Sequence, residues 1–212
     1  MVRRFQQHRA LWNDRLYDFR HSVDTAWEIP VSFLGLPEDA ARDSSNYGVS
    51  REAPFHRAIA SLPIQYADFT FIDVGAGMGK SVFMATDYPF RRVIGVELSR
   101  AMMEVAERNL QRYHSRARKC WNVELVLADA ATYVFPAERS VYYFHDPFGA
   151  PATRRVAGSI LKSMEECPRD NYIVAAHYES ATVDRTWDEF PWLTLVADRA
   201  DCQIYRTRSN SS

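Results

Sequence analysis

The chain has 212 residues, 47% of them hydrophobic, which is enough to bury one full core and sits at the upper end for a single domain. A formal charge of -1 and a pI near 6.6 leave no overall basic field to draw the protein onto nucleic acid or an anionic membrane, so nucleic acid is disfavoured as a partner. No apolar run approaches the roughly 20 residues of a membrane-spanning helix, and MVRRFQQHRALW has no signal-peptide core behind its arginines, so a cytoplasmic protein is expected.

The opening RRFQQHRALWNDRLYDFR sets Phe5, Trp12, Leu16 and Phe19 on one helical face, and that apolar face is expected to pack on the domain. Residues 21–50 are rich in Pro, Ser and Asp without a period and read as a long irregular connection, a type that often serves as a lid. Trp27, Phe33 and Leu34 argue that it is ordered. Residues 1–50 thus read as an N-terminal helix and lid-like segment ahead of a domain over 51–206, and 207–212 should fray into a disordered tail.

From residue 51 helix and strand patterns alternate. REAPFHRAIASL, GKSVFMATD, SRAMMEVAERNLQRY and PATRRVAGSILKSMEEC carry helical stripes, the third behind a Ser99 N-cap. TFIDVG, RRVIGVE, VELVLA, SVYYFH and NYIVAAH are short apolar runs of strand length. WLTLVAD and CQIYRT, linked only by Arg199-Ala200-Asp201, suit an antiparallel hairpin. This pattern predicts an α/β fold: a mostly parallel seven-stranded sheet with a C-terminal antiparallel hairpin and helices on both faces. Ligands of such sheets bind beyond the carboxyl ends of the strands, where strand order reverses.

Three acids fall at those ends: Asp73 in the first strand, Glu97 closing the second and Asp129 just after the third. Between the first strand and its helix lies FIDVGAGMGK, with Gly75, Gly77 and Gly79 in five positions. A phosphate-binding P-loop would need glycine where Val74 stands. A dinucleotide fingerprint is GxGxxG, whereas this turn is GxGxG with an acid two residues ahead, which repels phosphate and welcomes an ammonium or sulfonium. Glu97 stands about 20 residues beyond the turn, the offset of an acid that accepts from ribose hydroxyls. The three cysteines (Cys120, Cys167, Cys202) are far apart and the six histidines form no HExxH, so neither a disulfide framework nor a metal site is expected.

FIDVGAGMGK followed by VIGVELS, LADA and FHDPFG resembles the class I S-adenosylmethionine-dependent methyltransferases over roughly residues 50 to 206, closest to poorly characterised bacterial members. The region around Asn46-Tyr47 and the Phe55 helix is more distantly similar to non-SET histone-lysine methyltransferases. The resemblance implies S-adenosyl-L-methionine as cofactor. Asp73 and the backbone of Gly75, Ala76, Gly77 and Gly79 would hold its methionine part, Glu97 its ribose, and Asp129 with Ala130 its adenine, with Leu98 a further cofactor contact.

Methyl transfer displaces a sulfonium in line, so the protein mainly aligns the partners and keeps the site dry. His145-Asp146-Pro147-Phe148, after the fourth strand, resembles the [DN]PP[YF] element of amino-group methyltransferases with one proline missing. Asp146 and His145 are the catalytic candidates; the alternative is that Asp146-Pro147 only starts a turn. Trp27, Tyr47, Phe148, His177 and Tyr178 are candidate acceptor contacts, with plain packing as the alternative for Trp27 and Tyr47. The expected acceptor is a small molecule or a protein side chain. The competing readings are a catalytically silent cofactor-binding module and an NAD-dependent oxidoreductase.

Overall fold

The apolar runs become strands because each is short, β-rich and interrupted by turn residues. In the computed structural model, which describes residues 2–177 and 184–208, they are β1 (Thr70–Val74), β2 (Arg92–Glu97), β3 (Val123–Leu127), β4 (Ser140–His145) and β5 (Tyr172–Ala176). They form one sheet with β6 (Leu193–Asp198) and β7 (Cys202–Thr207) in the order β3-β2-β1-β4-β5-β7-β6. β1 through β5 are parallel, while β7 runs antiparallel to both β5 and β6. The hairpin is as expected, but its second arm inserts beside β5 and its first arm becomes the edge. Strand order reverses around β1, flanked by β2 and β4, so the ligand crevice of the fold opens at their carboxyl ends.

The central strands are buried on both faces. On one side, α3 (Glu52–Ala60) and α4 (Lys80–Ala85) pack Phe55, Ile59, Val82 and Phe83 against Phe71 and Tyr143. Beside them α5 (Arg100–Arg112) starts at Ser99, whose hydroxyl accepts from Met102 N at 3.3 Å, and ends at Tyr113, whose ring stacks on Phe83 at 4.8 Å. On the other side α6 (Ala150–Glu166) packs Val156, Ile160 and Met164 on Ile72, Tyr142 and Ile173. No helix of the described residues is long and apolar enough to cross a membrane.

The segment ahead of the domain is ordered where it meets the crevice. It contains a short helix, α2 (Glu38–Asp43), which the sequence pattern does not reveal, and Leu34 packs with Met78 and Met102 in a small apolar cluster. Tyr47 and Ile29 exchange both backbone hydrogen bonds, at 2.8 and 3.1 Å, giving the segment a two-residue ladder of its own.

The first helix, α1 (Val2–His21), docks by a different face from the one its apolar spacing predicts. Trp12, Leu16 and Phe19 are exposed, at 74%, 52% and 84%, whereas Asp14 and Tyr17 are buried. The cause is electrostatic. Lys80, in the first turn of α4, is buried, and Asp14 meets its Nζ at 2.6 Å while the Tyr17 ring lies 4.7 Å from it. An unpaired buried ammonium is far costlier than three exposed apolar side chains, so the counter-charge chooses the face. Asp18 then accepts from the backbone N–H groups of Thr25 and Ala26, stopping the helix and turning the chain toward the crevice.

Asp14→Ala leaves Lys80 buried without its partner and should cost about 3–5 kcal/mol, whereas Trp12→Ala should stay within about 0.5 kcal/mol. Urea unfolding of the two variants checks this, and equal losses would mean that the aromatic face carries the docking.

Candidate active site

The site begins with a turn that has no room for side chains. Gly75, Gly77 and Gly79 have φ values of 83°, 54° and 92°, the left-handed region that L side chains disfavour. The N–H groups of Gly75 and Ala76 both donate to Val96 O, at 2.9 and 3.0 Å, which ties the turn to β2. A Cβ on Gly75 would strike Pro147, and one on Gly77 would strike the Tyr47 ring. Glycine is therefore required twice over, by conformation and by the close approach of two segments from elsewhere in the chain.

Under this turn lies Asp73, 2% exposed. Its Oδ2 has no hydrogen-bond partner among the described residues. Burial pushes its pKa up to about 8, with the Glu97 charge adding to the shift and a hydrogen bond from Ser81 opposing it. A carboxyl group in that state is mostly protonated at neutral pH and would ionise beside a cation. Glu97 is also shifted upward by burial, against the backbone hydrogen bonds that favour its charged form. Its Oε2 accepts from Gly77 N at 2.8 Å and its Oε1 from Ser99 N at 2.7 Å. A carboxylate offers about four acceptor positions, so Glu97 keeps room for a hydroxyl donor beside its backbone donors.

Two hollows flank the turn. The first is lined by Gly75, Ala76, Gly77, Glu97, His145 and Asp146, together with Lys80, Tyr47 and Phe148. The second is lined by Gly75, Leu98, Asp129, Ala130 and Phe148. They share Ser44, Gly75 and Phe148, because the strap of residues 43–47 passes between them. Ser45 N donates to Pro147 O at 3.1 Å, Gly149 N donates to Asp43 O at 2.7 Å, and Arg155 pairs with Asp43 at 3.0 Å. Asp129 is exposed, and its Oδ1 accepts from Ala131 N at 2.8 Å, so it opens the turn after β3 while facing the second hollow.

Just beyond β4, Asp146 stands in the left-handed region at φ 45°, where Asn and Asp are the least disfavoured side chains. It lines the first hollow and also a third, with Phe148, His177, Trp187 and Gln203. Burial pushes the His145 pKa down to about 4, against a hydrogen bond to the Gly48 backbone; the nearby Arg51, His177 and Lys80 add to the lowering. His145 is therefore a neutral imidazole at physiological pH. His177 is buried, with Gln203 Nε2 at 3.3 Å from its Nε2.

The first hollow brings together Gly75, Ala76, Gly77, Glu97, Tyr47, His145, Asp146 and Phe148, with Leu98, Asp129 and Ala130 across the strap; Asp73 is buried beneath the turn and lines neither hollow. Gly79 serves the turn as the residue from which α4 starts, packed against Phe83. Trp27 lies apart, half-exposed, with its Nε1 donating to Asp24 at 2.6 Å. Tyr178 lies outside the described residues. Lys80, Ser81, Trp187 and Gln203 are site residues that sequence reasoning passes over. Lys80-Ser81 had a signal, since a charged residue in an otherwise buried first turn needs a reason. Among the described residues no cluster of His, Cys, Asp and Glu has the makings of a metal site.

A family model described as a methyltransferase domain matches residues 71–163, from the first strand through most of α6. The match takes in the glycine turn, Glu97, Asp129 and Asp146, and the sheet order is that of the class I methyltransferase fold. An RNA methyltransferase from Salinibacter ruber, solved in complex with S-adenosyl-L-homocysteine, aligns at TM-score 0.52 and 17% identity over 78% of this chain and 95% of its own. A predicted N6-adenine-specific DNA methylase from Listeria monocytogenes aligns at TM-score 0.54 and 12% identity, over 76% of this chain and 52% of its own. A dimethyladenosine transferase from Plasmodium falciparum aligns at 0.50 and 16%, over 77% and 64%. At these identities the likeness is one of fold. Comparison with curated proteins gives no match.

The strap and the glycine turn are seated on one another through Tyr47. Gly77→Ala should cost at least the roughly 1–2 kcal/mol of a side chain in left-handed backbone, and Tyr47→Ala should relieve part of it. A double-mutant cycle by urea unfolding measures the coupling. Strict additivity would show that Tyr47 does not rest on the turn.

Proposed function

We propose that the chain is a methyltransferase that passes the methyl group of S-adenosylmethionine to an acceptor presented at Asp146, on a small molecule or a protein side chain. The observation that carries this reading is the partnerless Oδ2 of Asp73, buried beneath a turn stripped of side chains. A protein has no cause to bury half a carboxyl group unsatisfied unless a donor from outside completes it.

The residues fit the cofactor. Asp73 suits its cationic amino acid end, Glu97 has lone pairs to spare for ribose hydroxyls, and Leu98, Asp129 and Ala130 line a separate hollow suited to a flat base. S-adenosylmethionine supplies a methyl group already activated on a sulfonium, so no residue has to form a covalent intermediate. What remains for the chain is orientation and exclusion of water. The strap, with Tyr47 on Gly77 and Ser45 on Pro147, covers the turn and keeps its surroundings dry.

Asp146 is assigned the acceptor contact: it orients an amine or accepts the proton that the amine loses. His145, whose pKa of about 4 makes it a weak proton acceptor, is assigned to holding the Gly48 end of the strap. Phe148 and His177 line the acceptor side. The silent-module alternative lacks a supporting observation, since binding alone gives no reason for Asp146 to sit in a strained conformation at the junction of two hollows.

The test is incubation of the protein with methyl-labelled S-adenosylmethionine and fractionated cell extract. Label should enter a metabolite or protein fraction, and Asp146→Asn should lower its rate by about tenfold or more with cofactor affinity kept. Cofactor binding with no incorporation in any fraction would favour the silent module.

A further inference from the structure

The net charge of -1 conceals a local imbalance. Between Arg108 and Asn122 the chain carries Arg108, Arg112, Arg116, Arg118 and Lys119 and not one acid. This stretch leaves the end of α5 and leads into β3, at the amino ends of the strands, the opposite end of the sheet from the candidate active site. It is pinned to the body by backbone bonds: Lys119 N and Cys120 N both donate to Thr86 O, at 2.7 and 2.9 Å. The cations have not been gathered to neutralise acids of the fold. Among the described residues none of Arg108, Arg112, Arg116, Arg118 and Lys119 forms an ion pair, and the contact with an acid is that of Ser115, which donates to Asp87 at 3.0 Å.

Near the end of this stretch stands Trp121, 72% exposed. The Arg118 guanidinium covers one face of its ring, 4.3 Å from the centroid, and Arg118 is itself fixed by donating from Nε to Cys120 O at 3.0 Å. The indole is thus held in place from one side while much of its surface stays open. A flat, preset aromatic surface covered on one face by Arg118, with further cations beside it in the chain that form no ion pair among the described residues, matches a polymer that offers a flat ring and a negative charge in every repeat. A protein partner fits less well, because the centres of protein interfaces are depleted of charge and of lysine in particular.

We propose that this face, built on Trp121, Arg116, Arg118 and Lys119, is a docking surface for single-stranded nucleic acid, with a base stacked on Trp121 and phosphates held by the flanking cations. Lying at the far end of the sheet from Asp146, it tethers a strand and takes no part in chemistry. It stands on its own observations, whatever the acceptor of the methyl group proves to be.

Fluorescence anisotropy of the full chain with a labelled oligouridylate of about 16 nucleotides tests it, across about 50 to 200 mM salt. Binding is expected at low salt, weaker for a duplex of the same length. Arg116→Ala with Lys119→Ala should lower the slope of log affinity against log salt by about 1.4, two phosphate contacts at roughly 0.7 each. Trp121→Ala should weaken binding fivefold or more with the slope kept, and Trp121→Phe should restore most of the loss. An oligodeoxythymidylate in parallel tells whether the strand is RNA or DNA by which binds more tightly. Absence of binding at low salt, variants that bind like the parent chain, or displacement by polyglutamate as readily as by unlabelled oligonucleotide would each overturn the proposal.

Discussion

A carboxyl group buried without a counter-charge, at the carboxyl end of the strand around which the sheet order reverses, is the constraint that organises this molecule. Asp73 sits where β1 gives way to the glycine turn, held by Ser81, with Oδ2 unsatisfied and a pKa raised to about 8 by its burial. Around it, charge is handled with economy. Glu97 is kept by two backbone donors, and Lys80 in the next helix is neutralised by Asp14 from the opening helix. Of these three charged groups, Asp73 keeps an oxygen without a partner among the described residues. That single imbalance links the fold to its chemistry, since a cation that enters the crevice gains the most where the protein has left a charge in waiting.

The strap follows from the same arrangement. A cationic ligand is held more strongly away from water than in it, and the segment before the domain supplies the cover. It reaches the crevice because Asp18 ends α1 and turns the chain, and it stays because Asp43 and Ser45 exchange backbone bonds with Pro147 and Gly149. The glycines of the turn admit Tyr47 and Pro147. In the proposed function one turn would meet cofactor, strap and acceptor loop at once, so that a change in any of the three should be felt by the other two.

Much of this was legible in the residues. The parallel strands read plainly because buried central strands are unbroken apolar runs of strand length, and Ser99 marked the start of α5. The acids at the strand ends could be placed because a parallel sheet aligns its carboxyl ends. Other features were not legible, for physical reasons. The docking face of α1 follows from a buried Lys80–Asp14 pair across 66 positions, which no local periodicity records. The helix over Glu38–Asp43 is too short to show a period. Which arm of the hairpin meets β5 is a matter of tertiary pairing, since either order keeps the same turn. The basic face around Trp121 was hidden by reading charge as a sum over the chain.

In the proposed function Asp73 takes up its charge only when the cofactor arrives. Calorimetric titration with S-adenosylhomocysteine at pH 7, in buffers of differing ionisation enthalpy, measures this directly. Because the free carboxyl group is mostly protonated below about 8, binding should release close to one proton per ligand, and Asp73→Asn should abolish the release. Tight binding with no proton exchanged would contradict the account.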